Sequence, residues 1–201
     1  MTYFAGMAKP ARGPAPAVAR KGDLRRAGIL AVARKLLVVD GYDCFVLREI
    51  AGRVGVTLGN LHYYFASRDD LLEAVIRAEF ERNQREIAAI ATAGRPSQKK
   101  LESIARHLID VWAREGGRVY AVMSLLALHQ PRFRALHREI YSEFYEGLLP
   151  VLREIRPRAS RAELMSRARL ITTLIDGALV QVPDRTFLSR AVAAVLRIAE
   201  E

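Results

Sequence analysis

Cysteine is almost missing from this chain of 201 residues; Cys44 is the only one. A lone thiol forms no intrachain disulfide, and no cysteine cluster is left to hold zinc. Cys44 reads as a small buried side chain. The four histidines, His62, His107, His129 and His137, include no His-x-x-x-His or Glu-x-x-His pair on one helix, so no metal site is expected. There is no Gly-x-Ser-x-Gly turn and no Gly-rich phosphate loop. Without a site motif the chain reads as a non-enzyme that needs no cofactor. No apolar run is long enough to span a membrane, and the N-terminus has no apolar core of the signal-peptide kind, so a cytoplasmic protein without a membrane partner is expected. Strand-type alternation and internal repeats are absent too. Acids are scarce, 22 against 32 lysines and arginines, giving a net charge of +10 and a pI near 10.2. Such a surplus points to a polyanionic partner, double-stranded DNA first.

What is present is helix. Apolar residues make up 51% of the chain, enough for a sizeable core. The stretch from Phe45 to Arg68 organises the rest. Leu47, Ile50, Ala51 and Val54 recur at helical spacing. Gly55 can end that helix in the left-handed conformation, and Thr57 can cap the next one. Leu61 and Phe65 continue the buried side, which leaves Leu58, Gly59, Asn60, His62 and Tyr63 outward. This is a helix-turn-helix, whose second helix can lie in a major groove.

The flanks sharpen the reading. Gly41-Tyr42, Ile50-Ala51, Gly55-Val56-Thr57, Gly59, Leu61, Tyr64-Phe65, Ser67 and Leu71-Leu72 fall in one register. From about Arg25 to Leu72 the chain resembles the DNA-binding domain of the TetR family of transcriptional regulators. Val46 stands where that family usually has a capping Thr, Leu58 where a polar or basic residue is frequent, and His62 where a Tyr is usual. The resemblance implies a regulator, usually a repressor, released from its operator by a small molecule.

In chain order, residues 1–22 read as a flexible basic arm, with Pro10, Pro14 and Pro16 among Lys9, Arg12, Arg20 and Lys21. A helix-turn-helix domain is expected over 23–70, with its motif at 46–65. Asp23 caps a first helix whose buried stripe is Ile29, Ala33, Leu36 and Leu37, and Gly41 ends it. Ser67 to Asp70 reads as a capping box opening a connector helix over 67–93. After the break at Gly94 to Ser97, residues 97–201 form an effector-binding and dimerisation domain of further helices, with Gly116-Gly117 as a break and Pro131 as a helix start. The fold class is all-α: a three-helix N-terminal domain and a C-terminal bundle.

Two candidate sites follow in the bundle. Trp112, Tyr120, Met123, Leu126, His129, Phe133, Tyr141, Phe144 and Tyr145 gather aromatic and soft side chains suited to a small apolar or amphipathic effector. Leu164, Ala168, Ile171, Ile175 and Ala178 make a heptad-like seam, matched by Leu188, Val192 and Val195 in the last helix, and together they read as a homodimer interface. On the DNA side, Thr57, Leu58, Gly59 and Asn60 are placed to meet bases, Leu58 at a thymine methyl and Asn60 at adenine or a phosphate. Arg48, His62, Tyr63 and Arg68 are placed for backbone or base-edge contacts, as similar positions are in the family. The expected protein is a dimeric regulator on a palindromic operator. The competing reading is a ligand-binding or protein-interaction dimer that keeps a relic helix-turn-helix.

Overall fold

The computed structural model describes residues 21–113, 115–180 and 185–201, without the side chains of 112, 113, 178–180 and 185. The expected arm lies outside the described residues except for Lys21 and Gly22, which already belong to a helix. The helices are α1 (Lys21–Val39), α2 (Leu47–Val54), α3 (Leu58–Tyr64), α4 (Arg68–Ala91), α5 (Ser97–Ala113), α6 (Gly116–His129), α7 (Pro131–Ile155), α8 (Arg161–Val180) and α9 (Arg185–Glu200). Among the described residues there is no strand.

Local chemistry sets most boundaries. α1 starts before Asp23, which sits in the first turn, where a negative charge suits the helix dipole. Gly55 ends α2 at φ 70°, a conformation that a side chain would strain. Val46 precedes α2 with no side-chain cap, while Thr57 caps α3 by accepting the Asn60 N–H at 3.1 Å. Ser67 accepts the Asp70 N–H at 3.1 Å and donates to the Asp70 carboxylate at 2.7 Å, which fixes the start of α4. At α8 the Glu163 carboxylate accepts the Ser160 N–H at 2.6 Å and the Ser160 hydroxyl oxygen accepts the Glu163 N–H at 3.2 Å.

The helix break expected at Gly116-Gly117 falls just before them: α5 ends at Ala113, α6 begins at Gly116, and both glycines are buried. The reason is space. A Cβ on Gly116 would lie 2.6 Å from Val111 Cγ1 and 2.8 Å from Glu79 Oε1. Glycine lets the turn between α5 and α6 close onto α4.

Two apolar clusters hold the helices. One joins α1–α4 to α6 and the first half of α7 through Ile29, Leu36, Phe45, Ile50, Leu61, Leu72, Ile76, Met123 and Phe133. The other joins the end of α4 to α5, the second half of α7, α8 and α9. The first cluster therefore crosses the expected boundary near residue 95, and the N-terminal helices share their core with the bundle.

The expected dimer seam is corrected here. Leu164, Ala168, Ile171, Ile175, Val192 and Val195 are all at most 4% exposed within a single chain, and Leu188 is half-buried beside them. They pack on α5 and α7, so intrachain contact absorbs both seams; the Ala178 side chain lies outside the described residues. The face that α8 and α9 leave to solvent carries Leu170, Thr173, Gly177, Phe187 and Ala193.

Candidate nucleic-acid interface and effector cavity

The outward strip of α3 forms as its sequence suggests. Gly59, Asn60 and His62 are exposed, and Tyr63 is 82% exposed with its ring edge-on to Tyr64 at 5.2 Å. Thr57 is exposed beside them, its hydroxyl oxygen used for the cap and its O–H left to donate. His62 Nδ1 lies 3.1 Å from the Ala66 carbonyl; a carbonyl only accepts, so Nδ1 carries the proton and Nε2 is left for another partner. Arg48 is exposed on α2. An open groove between the start of α1 and α3 is edged by Lys21, Arg25 and Asn60, with Tyr64 inside it. Arg26 is exposed and leans over the Phe65 ring at 5.0 Å.

Two residues differ from expectation. Leu58 is half-buried and packs on the first core cluster, because the cap at Thr57 turns the first residue of α3 partly inward. Arg68 points inward: its Nε donates to the Phe45 carbonyl and a terminal nitrogen to the Tyr42 carbonyl, each at 2.7 Å, and its guanidinium lies over the Tyr42 ring at 4.1 Å. A guanidinium held on three sides is a tie for residues 42–46, which replaces the free phosphate contact expected of it. The tie secures the entry to α2, the helix that lacks a side-chain cap.

From Arg68 the connector α4 runs into the bundle. Glu79 is 1% exposed at its side chain and accepts Arg34 Nε from α1 at 2.6 Å; Arg82 also pairs with it, and Arg34 reaches on to Glu115 at 3.0 Å. Arg77 and Arg132 clamp α4 to α7 through Glu73, Asp70 and Glu139 at 2.6–3.0 Å.

One turn beyond Glu79 a small cavity opens, about 30 Å³. Phe80 and Asn83 of α4, Leu108 of α5, Tyr120 of α6, Ile140, Tyr141 and Phe144 of α7, and Thr172, Ile175 and Asp176 of α8 line it. Of the expected pocket residues, Tyr120, Tyr141 and Phe144 are there. Met123, Leu126 and Phe133 are core, because their faces of α6 and α7 close over the N-terminal helices. His129 is exposed at the end of α6, and Tyr145 is half-buried under Arg169 at 5.8 Å. The Trp112 side chain lies outside the described residues.

A grouping of aromatics on the middle helices leaves out Asp176, Asn83 and Phe80. The available signal was phase: Asn83 interrupts the stripe Ile76, Phe80, Ile87, and Asp176 follows Ile175 in a helix with one other acid, Glu163. Asp176 accepts the Tyr141 O–H at 2.7 Å. Burial pushes its carboxyl up to about 6 from the ordinary 3.8, against the opposing effect of that hydrogen bond. Burial first, then the Asp176 charge, pushes the Tyr141 hydroxyl up, and burial alone holds His137, stacked on Tyr141 at 4.2 Å, below its usual range. Asn83 donates to the Tyr120 hydroxyl at 3.0 Å while its own Oδ1 is buried without a partner.

Comparison with known proteins agrees with this geometry. Residues 29–75 match the family model described as bacterial regulatory proteins, tetR family, and residues 99–201 match BetI-type transcriptional repressor, C-terminal. An uncharacterized HTH-type transcriptional regulator in the dhlA 5′ region of Xanthobacter autotrophicus is 28% identical over 155 residues, 74% of this chain and 75% of that one. A transcriptional regulator from Rhodococcus superposes with a TM-score of 0.74 at 20% identity, covering 87% of this chain and 95% of its own. A transcriptional regulator from Saccharomonospora viridis, solved with choline, superposes at 0.71 and 19% identity, covering 88% and 95%.

Two outcomes are expected. Arg68→Ala strands two carbonyls that accept charged hydrogen bonds, so it should destabilise the protein by about 2–4 kcal/mol; chemical unfolding checks this, and an unchanged midpoint with weakened DNA binding would restore the phosphate role. Asp176 has a folded pKa above its unfolded one, so its contribution is fully present below pH 4 and is lost as pH rises through about 6. The ionised carboxylate then costs roughly 2–3 kcal/mol at neutral pH. Asp176→Asn should therefore stabilise the protein above pH 7, and its advantage should shrink as the pH falls toward 4, as read by urea midpoints across a pH series.

Proposed function

The chain belongs to the TetR family of bacterial regulatory proteins, DNA-binding regulators rather than enzymes, and from that premise we propose a dimeric cytoplasmic repressor that leaves a palindromic operator when a small molecule enters the cavity beside α4. The observation that carries the proposal is the continuity of α4. Its first residue, Arg68, ties it to the entry of the helix-turn-helix, and its middle supplies Phe80 and Asn83 to the cavity wall. A ligand that wedges these walls apart acts on the helix that carries the DNA-binding motif. The match to a repressor-type C-terminal model supports repression, and the choline held by a neighbour of the same fold supports a small-molecule site among these helices.

Asn60, with Thr57, Gly59, His62 and Tyr63, reads the major groove, while Arg48, Arg25 and Lys21 meet phosphates. Leu58, half-buried, offers a thymine methyl only its outer edge. Two copies join through the face of Leu170, Thr173, Gly177, Phe187 and Ala193. Gly177 supports this choice: among the described residues a Cβ there would meet nothing within 4 Å, and a small residue on an exposed helix face lets a second helix come close.

The experiment is titration of the intact protein with its own upstream DNA and with random DNA, across a salt series. Binding that prefers the upstream DNA is expected, and Asn60→Ala should lose about 1–3 kcal/mol on that DNA and little on random DNA. Equal loss on both would move base reading away from Asn60; no preference in the unmutated protein would favour the relic reading. In the same assay Leu170→Arg should give folded monomers by light scattering, with affinity for the full palindrome reduced toward that for a half-site. A wild-type monomer at micromolar concentration, or a Leu170→Arg dimer, would overturn the face assigned here.

A further inference from the structure

Apart from the Tyr120 hydroxyl, which accepts from Asn83 at 3.0 Å, the polar groups that line the cavity turn acceptors toward a guest. Thr172 already donates its hydroxyl to the Ala168 carbonyl at 2.8 Å, and Tyr141 donates its own to one carboxylate oxygen of Asp176. The other Asp176 oxygen and the buried, unpartnered Asn83 Oδ1 remain. Among the described residues no lysine, arginine or histidine pairs with Asp176; the nearest arginine in this part of α8, Arg169, leans over the Tyr145 ring. Around these acceptors stand the rings of Phe80, Tyr120, Tyr141 and Phe144. Asp176 is half-buried, and a carboxylate partly withdrawn from water without a cation is destabilising; proteins keep such groups where a function needs them. Aromatic faces attract cations, and a ligand that brings N–H or O–H donors would satisfy both free acceptors. An anion would meet Asp176 with repulsion, and a neutral apolar molecule would leave both acceptors unpaired.

We propose that the cavity takes a small organic cation bearing hydrogen-bond donors, with Asp176 as its counter-ion and Asn83 accepting from a donor. This rests on the effector-site reading given above. At about 30 Å³ the cavity holds water and nothing larger, so a cation must part α4 from α7 and α8 to enter. Entry thus moves the connector and supplies the charge that Asp176 lacks in the same event.

The test uses the full chain at pH 7.5 and four probes of similar bulk: n-butylamine, tetramethylammonium, butanol and butyrate. Thermal shift and calorimetric titration should show n-butylamine binding best, tetramethylammonium more weakly because it has no donor, and no binding of butanol or butyrate. Asp176→Asn, which keeps an acceptor for Tyr141, should lower n-butylamine affinity by about tenfold or more, since charged hydrogen bonds carry that much. Asn83→Ala should weaken n-butylamine more than tetramethylammonium. Butanol or butyrate binding as well as n-butylamine, an unchanged affinity in Asp176→Asn, or no response to any probe at millimolar concentration would overturn the inference. Operator affinity measured in the same preparations separates the two proposals. Intact operator binding without a cation response removes this inference alone, whereas cation binding without operator preference removes the regulatory reading.

Discussion

A carboxylate closed off from water sits where the two halves of the molecule meet. Glu79 lies in the middle of α4, faces Arg34 of α1 and Arg82 of its own helix, and has Gly116 packed against it. Such a charge is tolerated only while its partners stay in place, so α1, α4 and the α5–α6 turn are bound to one relative position. The apolar cluster around it is shared in the same way, drawing on Ile29 and Leu36 from the N-terminal helices and Met123 and Phe133 from the bundle. The DNA-binding helices and the bundle are therefore one mechanical unit. The second apolar cluster contributes Leu108 of α5 and Ile175 of α8 to the cavity, and the first contributes Phe80, Tyr120 and Ile140, so the cavity lies where the two clusters meet.

Much of this was legible in the sequence where one physical rule decided the outcome. Gly55, Thr57 and Ser67 set helix ends through local backbone chemistry, and each acts as its residue type suggests. The buried stripe of α1 follows from spacing alone. Errors came where a pattern had two physical solutions. An apolar seam in α8 serves a neighbouring helix of its own chain as well as a partner's, and here the neighbours α5 and α7 take it. Gly116-Gly117 marks the break between α5 and α6, but the close approach of Gly116 to Glu79 is not visible in a local window. Arg68 has the charge for a phosphate and the reach for two carbonyls 23 and 26 residues back, which no local window reveals. The cavity was half legible: aromatic content located its α6 and α7 walls, while Asn83 and Asp176 are polar residues in an apolar phase.

The polar groups in the two interiors differ in kind. Around Glu79 every charge has an opposite charge in contact, which makes a rigid joint. Around Asp176 the carboxylate has one phenol, and the neighbouring amide oxygen has nothing. One acid of the interior is thus fully paired with cations, and a second, half-buried one is held by a single neutral donor.

The length of α4 converts small movements into large ones. Asn83 and Arg68 are 15 residues apart on one uninterrupted helix, a lever of about 22 Å at a rise of roughly 1.5 Å per residue. A tilt of about 5° at the cavity carries the far end through about 2 Å, and in a two-fold pair the readers separate by about 4 Å. Two major grooves on one face of B-DNA stand roughly 34 Å apart, and side chains that meet base edges tolerate errors well under that displacement. A wedge no larger than a few methylene groups is thus geometrically sufficient to put both recognition helices out of step with the double helix.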